Sequence, residues 1–200
     1  YRGTENQLYR VEIHRGGTAD EATFKWSREN GSVIFPIDEL EAKFNQEAPD
    51  EQTYFDTAQV TLKHMGHDDR LGLAANDWVE IMDDDYTLEG RAEALWQVEA
   101  IDPTERQVSL RRTKAGTSTS VTGQDSSKHP LLRRWDHREG DPEAGGLTLE
   151  GGTARIEERV TDTDNNWLSL ENGIQIEFQK MDPASEYRTG DYWLIPARTA

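Results

Sequence analysis

The 200-residue chain contains no cysteine, and this absence excludes several kinds of chemistry. Without thiols there can be no disulfide, no cysteine nucleophile and no cysteine-ligated zinc or iron–sulfur centre. Long apolar runs are missing as well, because no stretch approaches the roughly 20 residues of a membrane-spanning helix. We therefore expect no membrane insertion.

Basic residues are scarce. The chain has 22 lysines and arginines against 39 aspartates and glutamates, a formal net charge of −17, and only 6 of the basic residues are lysines. Proteins that bind a phosphate backbone do so largely through lysine and arginine, so we expect no nucleic-acid partner. An acidic chain that is poor in lysine is typical of a strongly hydrated, self-repelling surface.

Signatures of catalysis are also missing. The sequence has no Gly-x-Ser-x-Gly elbow, no His-Glu-x-x-His, no phosphate-binding glycine loop and no dinucleotide fingerprint. We therefore predict that the chain is not an enzyme, and we assign no catalytic, cofactor-binding or metal-binding residue and no cofactor. A carboxylate- or metal-dependent hydrolase stays open as an alternative, because some pair among 39 acids will always lie at a suitable distance.

Alternation of apolar and polar residues dominates what is present. Tyr9, Val11 and Ile13 alternate with polar residues in the way of a half-buried strand. Similar patterns occupy residues 54–63, 77–82, 154–160, 174–178 and 192–195. No stretch longer than ten residues keeps a helical period, so we predict an all-β fold, a mostly antiparallel sandwich or barrel of short strands with long polar loops.

Turn residues predict two hairpins. Asn30-Gly31 tolerates the positive φ angles of a tight turn and separates the strand patterns at 22–28 and 32–37. The second hairpin joins 94–102 to 106–112. The acidic residues 38–52 are interpreted mainly as a solvated insertion, and the Ser/Thr-rich residues 113–128 as a polar loop with a possible soft domain boundary.

Three clusters of oxygen and nitrogen donors have the composition of metal sites. The first is His64-Met65-Gly66-His67-Asp68-Asp69, which could ligate a divalent ion. The alternative interpretation of this segment is an ordinary polar turn. The others are Asp83-Asp84-Asp85, which we interpret as a solvated turn closing a strand, and Asp162-Thr163-Asp164-Asn165-Asn166. The last is not an EF-hand, because Trp167 and Gly173 stand where Gly and Glu are required. Calcium near either aspartate cluster is left open.

Six tryptophans suggest a carbohydrate-binding module as an alternative function, since sugar rings stack on exposed indoles. Trp26, Trp78, Trp96 and Trp193 lie in strand patterns and are expected in the core. Trp135 and Trp167 lie nearer to loops and are the candidates for exposure. Trp135 belongs to a basic island at residues 131–138, whose arginines we expect to clamp carboxylates and stack on indoles inside the protein.

Four blocks are long or rich in aromatic residues: 3–14 (GTENQLYRVEIH), 22–32 with FKWSRENGS, 132–136 (LRRWD) and 187–200 (YRTGDYWLIPARTA). They resemble an uncharacterised bacterial family of large proteins, a domain of unknown function often encoded with phage-tail-like contractile injection systems. The resemblance implies that residues 1–200 form one β-rich module of a longer chain. It also implies a structural or attachment role, with protein partners in a larger assembly and an extracellular or particle-associated location.

Overall fold

The computed structural model describes residues 7–47, 54–66, 68, 70–113, 122–141, 145–159, 166–179, 182 and 185–197. The chain forms two compact units, which we name by their architecture. The barrel unit comprises residues 31–135, and the sheet unit comprises residues 1–30 together with 136–200.

The barrel unit is a closed antiparallel barrel of six strands in the order β3-β4-β7-β6-β5-β8. Its strands are β3 (Ile34–Glu47), β4 (Tyr54–Leu62), β5 (Trp78–Met82), β6 (Trp96–Asp102), β7 (Gln107–Thr113) and β8 (Leu131–Trp135). A short helix, α1 (Asp84–Leu88), follows β5, and a 3-10 turn (Ser126–Lys128) precedes β8. Closure depends on β8, which pairs with β5 on one side and with β3 on the other.

Alternation along these strands fills the barrel interior. At the start of β3, Phe35 and Ile37 point inward and are buried, as is Val33 just before the strand. A register shift between Ile37 and Glu39 then changes which residues point inward, so that Leu40 and Ala42 pack against the same core. Such a bulge bends the strand and reverses the parity of its apolar pattern.

The sheet unit is built on four antiparallel strands in the order β14-β1-β2-β9. These are β1 (Gln7–Arg15), β2 (Thr23–Ser27), β9 (Ala154–Arg155) and β14 (Tyr192–Ala197). Two smaller pairs complete the unit: β10 (Glu158–Arg159) with β13 (Phe178–Gln179), and β11 (Leu168–Glu171) with β12 (Ile174–Ile176).

Aromatic side chains fill the core of the sheet unit. Tyr9, Phe24 and Trp26 are completely buried, and the Phe24 ring lies 5.9 Å from Trp26 and 5.2 Å from Phe178, centroid to centroid. On the opposite face of β1, Glu12 is buried as well, held by Lys25 at 3.4 Å. The strand is thus buried on both faces along part of its length, more than its half-buried pattern predicts.

The predicted fold class is confirmed, since the described chain is mostly antiparallel strand and includes a closed barrel. The second predicted hairpin is confirmed as β6 and β7. Neither helical segment of the described chain has the length or apolar character that crossing a membrane requires.

Two local predictions are wrong. Asn30 and Gly31 do adopt positive φ angles, 57° and 59°, but β2 pairs with β1 and β9 while β3 pairs with β4 and β8. The turn therefore does not close a hairpin. Residues 38–47 are no solvated insertion either, because β3 continues through them and its ladder with β4 extends to the pair Glu47 and Tyr54.

Both changes between units, after Asn30 and after Trp135, lie away from the polar loop at 113–128. Residues 114–121 of that loop lie outside the described residues. The single-module organisation and the soft boundary stay predictions.

Candidate functional site

The edge of the sheet unit carries an exposed apolar segment. β14 is the outer strand, pairing with β1, and three consecutive side chains on it are about half exposed: Tyr192 at 50%, Trp193 at 47% and Leu194 at 45%. From Tyr192 to Ala197 the strand contains no charged residue. We call residues 192–197 the edge segment.

The register of β14 shows which of its backbone groups face outward. The Ile13 amide donates to the Asp191 carbonyl at 2.8 Å, and Val11 is paired with Trp193 two residues further along. Because hydrogen-bonded and non-hydrogen-bonded pairs alternate in an antiparallel ladder, Trp193 bonds to β1. The amide and carbonyl of Tyr192 and of Leu194 therefore point away from β1. Pro196 follows in the same phase and has no amide hydrogen to offer.

A groove of about 490 Å³ runs beside the edge segment. Its apolar lining consists of Val11, Ile176, Phe178, Trp193, Leu194 and Ile195. The Trp193 ring meets Phe178 edge to face, with centroids 5.9 Å apart and planes at 77°. Because Phe178 is itself buried, this contact holds the half-exposed indole at the wall of the groove.

Polar groups border the same groove. Gln175 and Gln179 are exposed amides, and the Gln175 Nε2 donates to Ser169 Oγ at 2.9 Å. Tyr187 donates from its hydroxyl to Glu158 at 2.9 Å, and burial together with this bond raises the pKa of Tyr187. The tyrosine is therefore protonated at neutral pH. The groove combines an indole platform, an apolar wall and amides that can bond in either direction.

On the other face of the edge segment, Arg10 stabilises Tyr192. The guanidinium carbon of Arg10 lies 3.6 Å from the centre of the Tyr192 ring, and Arg10 Nη2 is 2.6 Å from a Glu12 carboxylate oxygen. Arg10 is thus neutralised by its own strand while its guanidinium covers one face of the tyrosine. The edge segment has ordered side chains on both faces of the sheet.

The structure reverses two of the tryptophan predictions. Trp167 is exposed, as predicted, but Trp135 is completely buried and Trp193 is half exposed. Trp135 ends a strand that closes the barrel, and its indole nitrogen donates to Glu80 at 2.9 Å inside that unit. Trp193 keeps the predicted strand pattern, yet it lies on β14, which has a neighbour on one side only, β1, among the described strands.

The predicted His64–Asp69 cluster is only partly described, because His67 and Asp69 lie outside the described residues. His64 packs against Phe35 at 6.1 Å between ring centroids, and the Asp68 carboxylate accepts from the Leu71 amide at 2.8 Å. Within the described ranges, no three His, Asp or Glu side chains gather as a metal-binding group.

The aspartates at 83–85 do not form a solvated turn, because Asp83 is buried and caps α1. It accepts from the Tyr86 amide at 2.8 Å and from the Gly123 amide at 2.9 Å. Asp84 meets His129 at 2.8 Å and Asp85 meets Lys128 at 2.6 Å. Each carboxylate in this cluster has a protein partner, at the border of a polar pocket of about 520 Å³.

The third predicted cluster, at 162–166, lies outside the described residues except for Asn166. The Asn166 side chain donates to the Glu158 carbonyl at 2.9 Å.

In the basic island at 131–138, Arg134 is buried, as predicted, whereas Arg138 is exposed. The Arg134 guanidinium donates to the carbonyls of Arg70 and Gly72 in the barrel unit, which are not carboxylates.

Sequence reasoning misses the buried ion pair that most resembles that prediction. Arg112 Nε donates to Asp56 Oδ2 at 3.1 Å, both side chains are buried, and the guanidinium lies 4.3 Å from the Trp96 ring centre. Asp56 and Arg112 are register partners on β4 and β7. Opposite charges on facing strands are a signal only once the pairing of those strands is known.

A buried histidine is also missed. His137 lies within hydrogen-bonding distance of two carbonyl oxygens, with Nδ1 2.8 Å from Trp26 O and Nε2 2.7 Å from Gly152 O. Burial lowers the pKa of His137 to about 4, although both carbonyl contacts favour the protonated ring. At neutral pH the ring is therefore uncharged and carries one proton for two acceptors.

Comparison with known proteins gives a family match over the whole chain. Residues 1–200 match the model of a family of unknown function, DUF6519. The chain belongs to DUF6519. The predicted membership of a family of unknown function is thereby confirmed, whereas no curated protein and no solved structure matches the chain.

For this DUF6519 chain, the family assignment carries no residue roles, so the candidate site depends on geometry alone. The edge segment and its groove are favoured because they combine exposed apolar side chains with outward-facing backbone groups. In the polar pocket beside α1, the charged side chains Asp85 and Lys128 already pair with each other, and Asp83 already accepts from two backbone amides.

Proposed function

We propose that this chain is a non-catalytic structural or attachment module of a larger assembly, either phage-tail-like and associated with contractile injection systems, or on a cell surface. The observation that supports the proposal is the edge segment, which is uncharged and half exposed on a chain of net charge −17. The family resemblance supplies the kind of assembly. Protein partners then meet the chain at this edge.

The physical argument starts from the cost of leaving such an edge open. A strand edge presents unpaired amides and carbonyls, and most proteins protect it with charges, with proline or by covering it. Here Pro196 protects one end, while Tyr192 and Leu194 keep both their outward backbone groups and their apolar side chains. An exposed edge of this composition is stabilised when another chain covers it.

Electron microscopy of purified injection particles, labelled with an antibody against this module, tests the proposal. We expect label at a fixed position on the particles. The matched variants are Leu194→Ser in the edge segment and Leu88→Ser on α1, a single exposed leucine at 84%. Leu194→Ser should lower the amount of module on particles, whereas Leu88→Ser should leave it unchanged. Consistent absence of the module from particles would contradict the assembly.

Carbohydrate binding is the second candidate, supported by Trp193. Its exposed indole forms the wall of a groove that also offers the amides of Gln175 and Gln179. An indole face with neighbouring amides suits a sugar ring, which is apolar on its faces and carries hydroxyls on its rim. This reading differs from the first because it needs a small ligand inside the groove.

A glycan array followed by titration calorimetry distinguishes the two candidates. If the groove binds sugar, Trp193→Ala should abolish the signal while Trp167→Ala, at another exposed indole, should preserve it. An array without hits would dispose of this candidate. The hydrolase alternative stays a prediction, to be tested by metal analysis of chelator-free protein and by activity screening on polysaccharides.

A further inference from the structure

We infer that the edge segment pairs with the edge segment of a second copy of this chain. The two β14 strands would run antiparallel around a twofold axis through Trp193, joining two four-stranded sheets into one of eight strands. This inference deepens the proposed structural role, on which it rests, by naming the first partner as the chain itself.

The outward backbone groups are self-complementary. Tyr192 and Leu194 each point an amide and a carbonyl away from β1, and they lie two residues apart with Trp193 between them. When two such strands meet around Trp193, Tyr192 of one copy faces Leu194 of the other. Each of these two facing pairs exchanges both of its hydrogen bonds, so all four outward amides and all four outward carbonyls are satisfied.

Neighbouring registers leave an outward carbonyl of Tyr192 or Leu194 without a donor. An axis through Leu194 would set Tyr192 against Pro196, which has no amide hydrogen. An axis through Tyr192 would set Leu194 against Gly190, whose amide already donates to Ile13 O at 2.9 Å. The register through Trp193 is therefore the one that pairs both outward groups of Tyr192 and of Leu194, and Pro196 marks where the ladder ends.

Side chains and charge favour the same register. Trp193 would face Trp193 of the second copy at a non-hydrogen-bonded position, where side chains of facing strands approach most closely. Asp191 would face Ile195, so that no two like charges lie directly opposite each other. For a chain of net charge −17, an uncharged segment is where two copies can approach with the least repulsion.

The contact is small, and this determines how the experiment must be performed. Three half-exposed side chains on each copy fall short of the roughly 1,200 Å² that stable interfaces bury. The pairing should therefore depend on concentration and be seen over a range of about 5–500 µM. Low ionic strength should weaken it, because the remaining acidic surfaces then repel each other further.

Light scattering over that range tests the inference on the 200-residue chain. We expect the mass to rise with concentration from 22.8 kDa towards twice that value. Leu194→Pro removes an outward amide and should keep the chain monomeric at the highest concentration, while Leu194→Ala keeps the amide and should still dimerise. A wild-type chain that stays monomeric throughout, or a Leu194→Pro chain that dimerises like wild type, would overturn the inference.

Amide hydrogen exchange provides a test that does not depend on a variant folding. Tyr192 and Leu194 amides should exchange at least several-fold more slowly at the high concentration than at the low one. Trp193 and Ile195 amides bond to β1 within one copy and should exchange equally slowly at both. Exchange at Tyr192 and Leu194 that is the same at both concentrations would overturn the pairing.

The outcome also separates this inference from the proposed function. A monomeric chain that still labels injection particles would overturn self-pairing and support attachment to another protein. A dimer that never appears on particles would support self-pairing and contradict the particle assembly.

Discussion

The two units of this protein use strands in different ways. In the barrel unit each of the six strands has a neighbour on both sides, and the scattered exposed apolar residues Ile34, Leu71 and Leu88 are not adjacent in sequence. In the sheet unit the order β14-β1-β2-β9 leaves β14 on an edge, and the exposed residues Tyr192, Trp193 and Leu194 are consecutive.

This difference indicates where the proposed contacts with other chains would lie. Closing a barrel gives each strand a neighbour on both sides, although β8 pairs with β3 only at residues 34–36. Among the described residues, the part of β3 beyond them has an open strand edge on that side, but it carries the exposed acids Asp38, Glu39 and Glu41. An open sheet keeps such an edge, and the composition of that edge decides whether it repels or binds other chains. We therefore interpret the barrel unit as a stable body and the sheet unit as the part that makes contacts.

Alanine substitutions at one tryptophan in each unit give the largest difference in stability that we expect between the two units. Trp135→Ala removes a fully buried indole from the barrel together with its hydrogen bond to Glu80 at 2.9 Å, while Glu80 still accepts from the Tyr86 hydroxyl. We expect a loss of about 3–5 kcal/mol in the free energy of unfolding. Trp193→Ala removes an indole that is half exposed and should cost about 1 kcal/mol.

Urea denaturation followed by circular dichroism measures both variants. Similar losses in the two proteins would show that Trp193 is as much a part of a core as Trp135, and would remove the basis for a contact surface on β14.

These two residues also show what sequence can predict here. Alternation correctly locates most strands, because the side-chain period of a strand is a local property. Whether an apolar residue on a strand is buried depends on its neighbours in space. Trp135 is buried because β8 has β3 and β5 beside it, and Trp193 is exposed because β14 has only β1 among the described strands.

The missed length of β3 has a different physical reason. Val33, Phe35 and Ile37 occupy odd positions, whereas Leu40 and Ala42 occupy even ones. The register shift after Ile37 moves the inward positions from odd to even residue numbers. Strict alternation therefore does not predict that the strand continues through the acidic residues. Asp38, Glu39 and Glu41 on this part of β3 are exposed, and a charge in contact with solvent costs little free energy.

Strand pairing is likewise beyond local signals. Asn30-Gly31 predicts a turn, and the turn is present with two positive φ angles. The same dipeptide predicts a hairpin only if the flanking strands prefer each other to their other neighbours. The edge segment could have been suspected from its six uncharged residues, but its outward backbone groups require the register with β1.

The buried ion pair between Asp56 and Arg112 in the barrel unit can be compared with an exposed ion pair in the sheet unit. Asp56→Ala leaves the buried guanidinium of Arg112 without its carboxylate at 3.1 Å. The guanidinium keeps Glu93 at 3.6 Å and the Ala94 carbonyl at 3.3 Å, so we expect a loss of about 2–3 kcal/mol from removing the nearest counter-ion of a buried charge. The matched control is Glu150→Ala in the sheet unit, where Arg155 and Glu150 are both mostly exposed.

The control should change stability by less than about 0.5 kcal/mol, because exposed ion pairs contribute little. The midpoints of urea unfolding measure both losses, provided that the dependence of the unfolding free energy on urea concentration is the same in both variants. A small effect of Asp56→Ala would mean that the Arg112 charge is compensated without Asp56, by Glu93 or by water. The Asp56–Arg112 pair would then contribute little to the stability of the barrel.

Acid should affect the sheet unit through His137. Burial lowers its pKa in the folded protein to about 4, below the 6.5 of an exposed histidine, so between these values the unfolded state binds more protons. Stability therefore falls as the pH is lowered from about 6.5 to about 4, by roughly 3 kcal/mol in all, and this contribution is constant below that range.

Urea unfolding at intervals between pH 7 and 4, for wild type and for His137→Gln, checks this. Subtracting the two profiles leaves the histidine contribution, because other groups, such as Glu171 with its raised pKa, remain in both proteins. A flat difference would show that His137 takes up its proton at the same pH in the folded and unfolded states, so that burial does not lower its pKa.

The smallest effect concerns how the barrel interior is covered. Gly123 has a φ of +85°, and a Cβ at this position would lie 2.6 Å from Ile81 Cγ2 and 3.1 Å from Leu40 Cδ2. Gly123→Ala should therefore cost about 2 kcal/mol, from backbone strain and from displacing core side chains. Gly90→Ala is matched in φ sign, at +60°, with nothing within 4 Å, and should cost about 1 kcal/mol.

The difference between these two losses, read from urea midpoints, isolates the contact with the barrel core from the backbone strain that both share. Equal losses would mean that the segment at residues 122–123 does not press on Ile81 and Leu40. The barrel would then be open at a point where its interior is now covered, and its contrast with the exposed edge of β14 would be weaker.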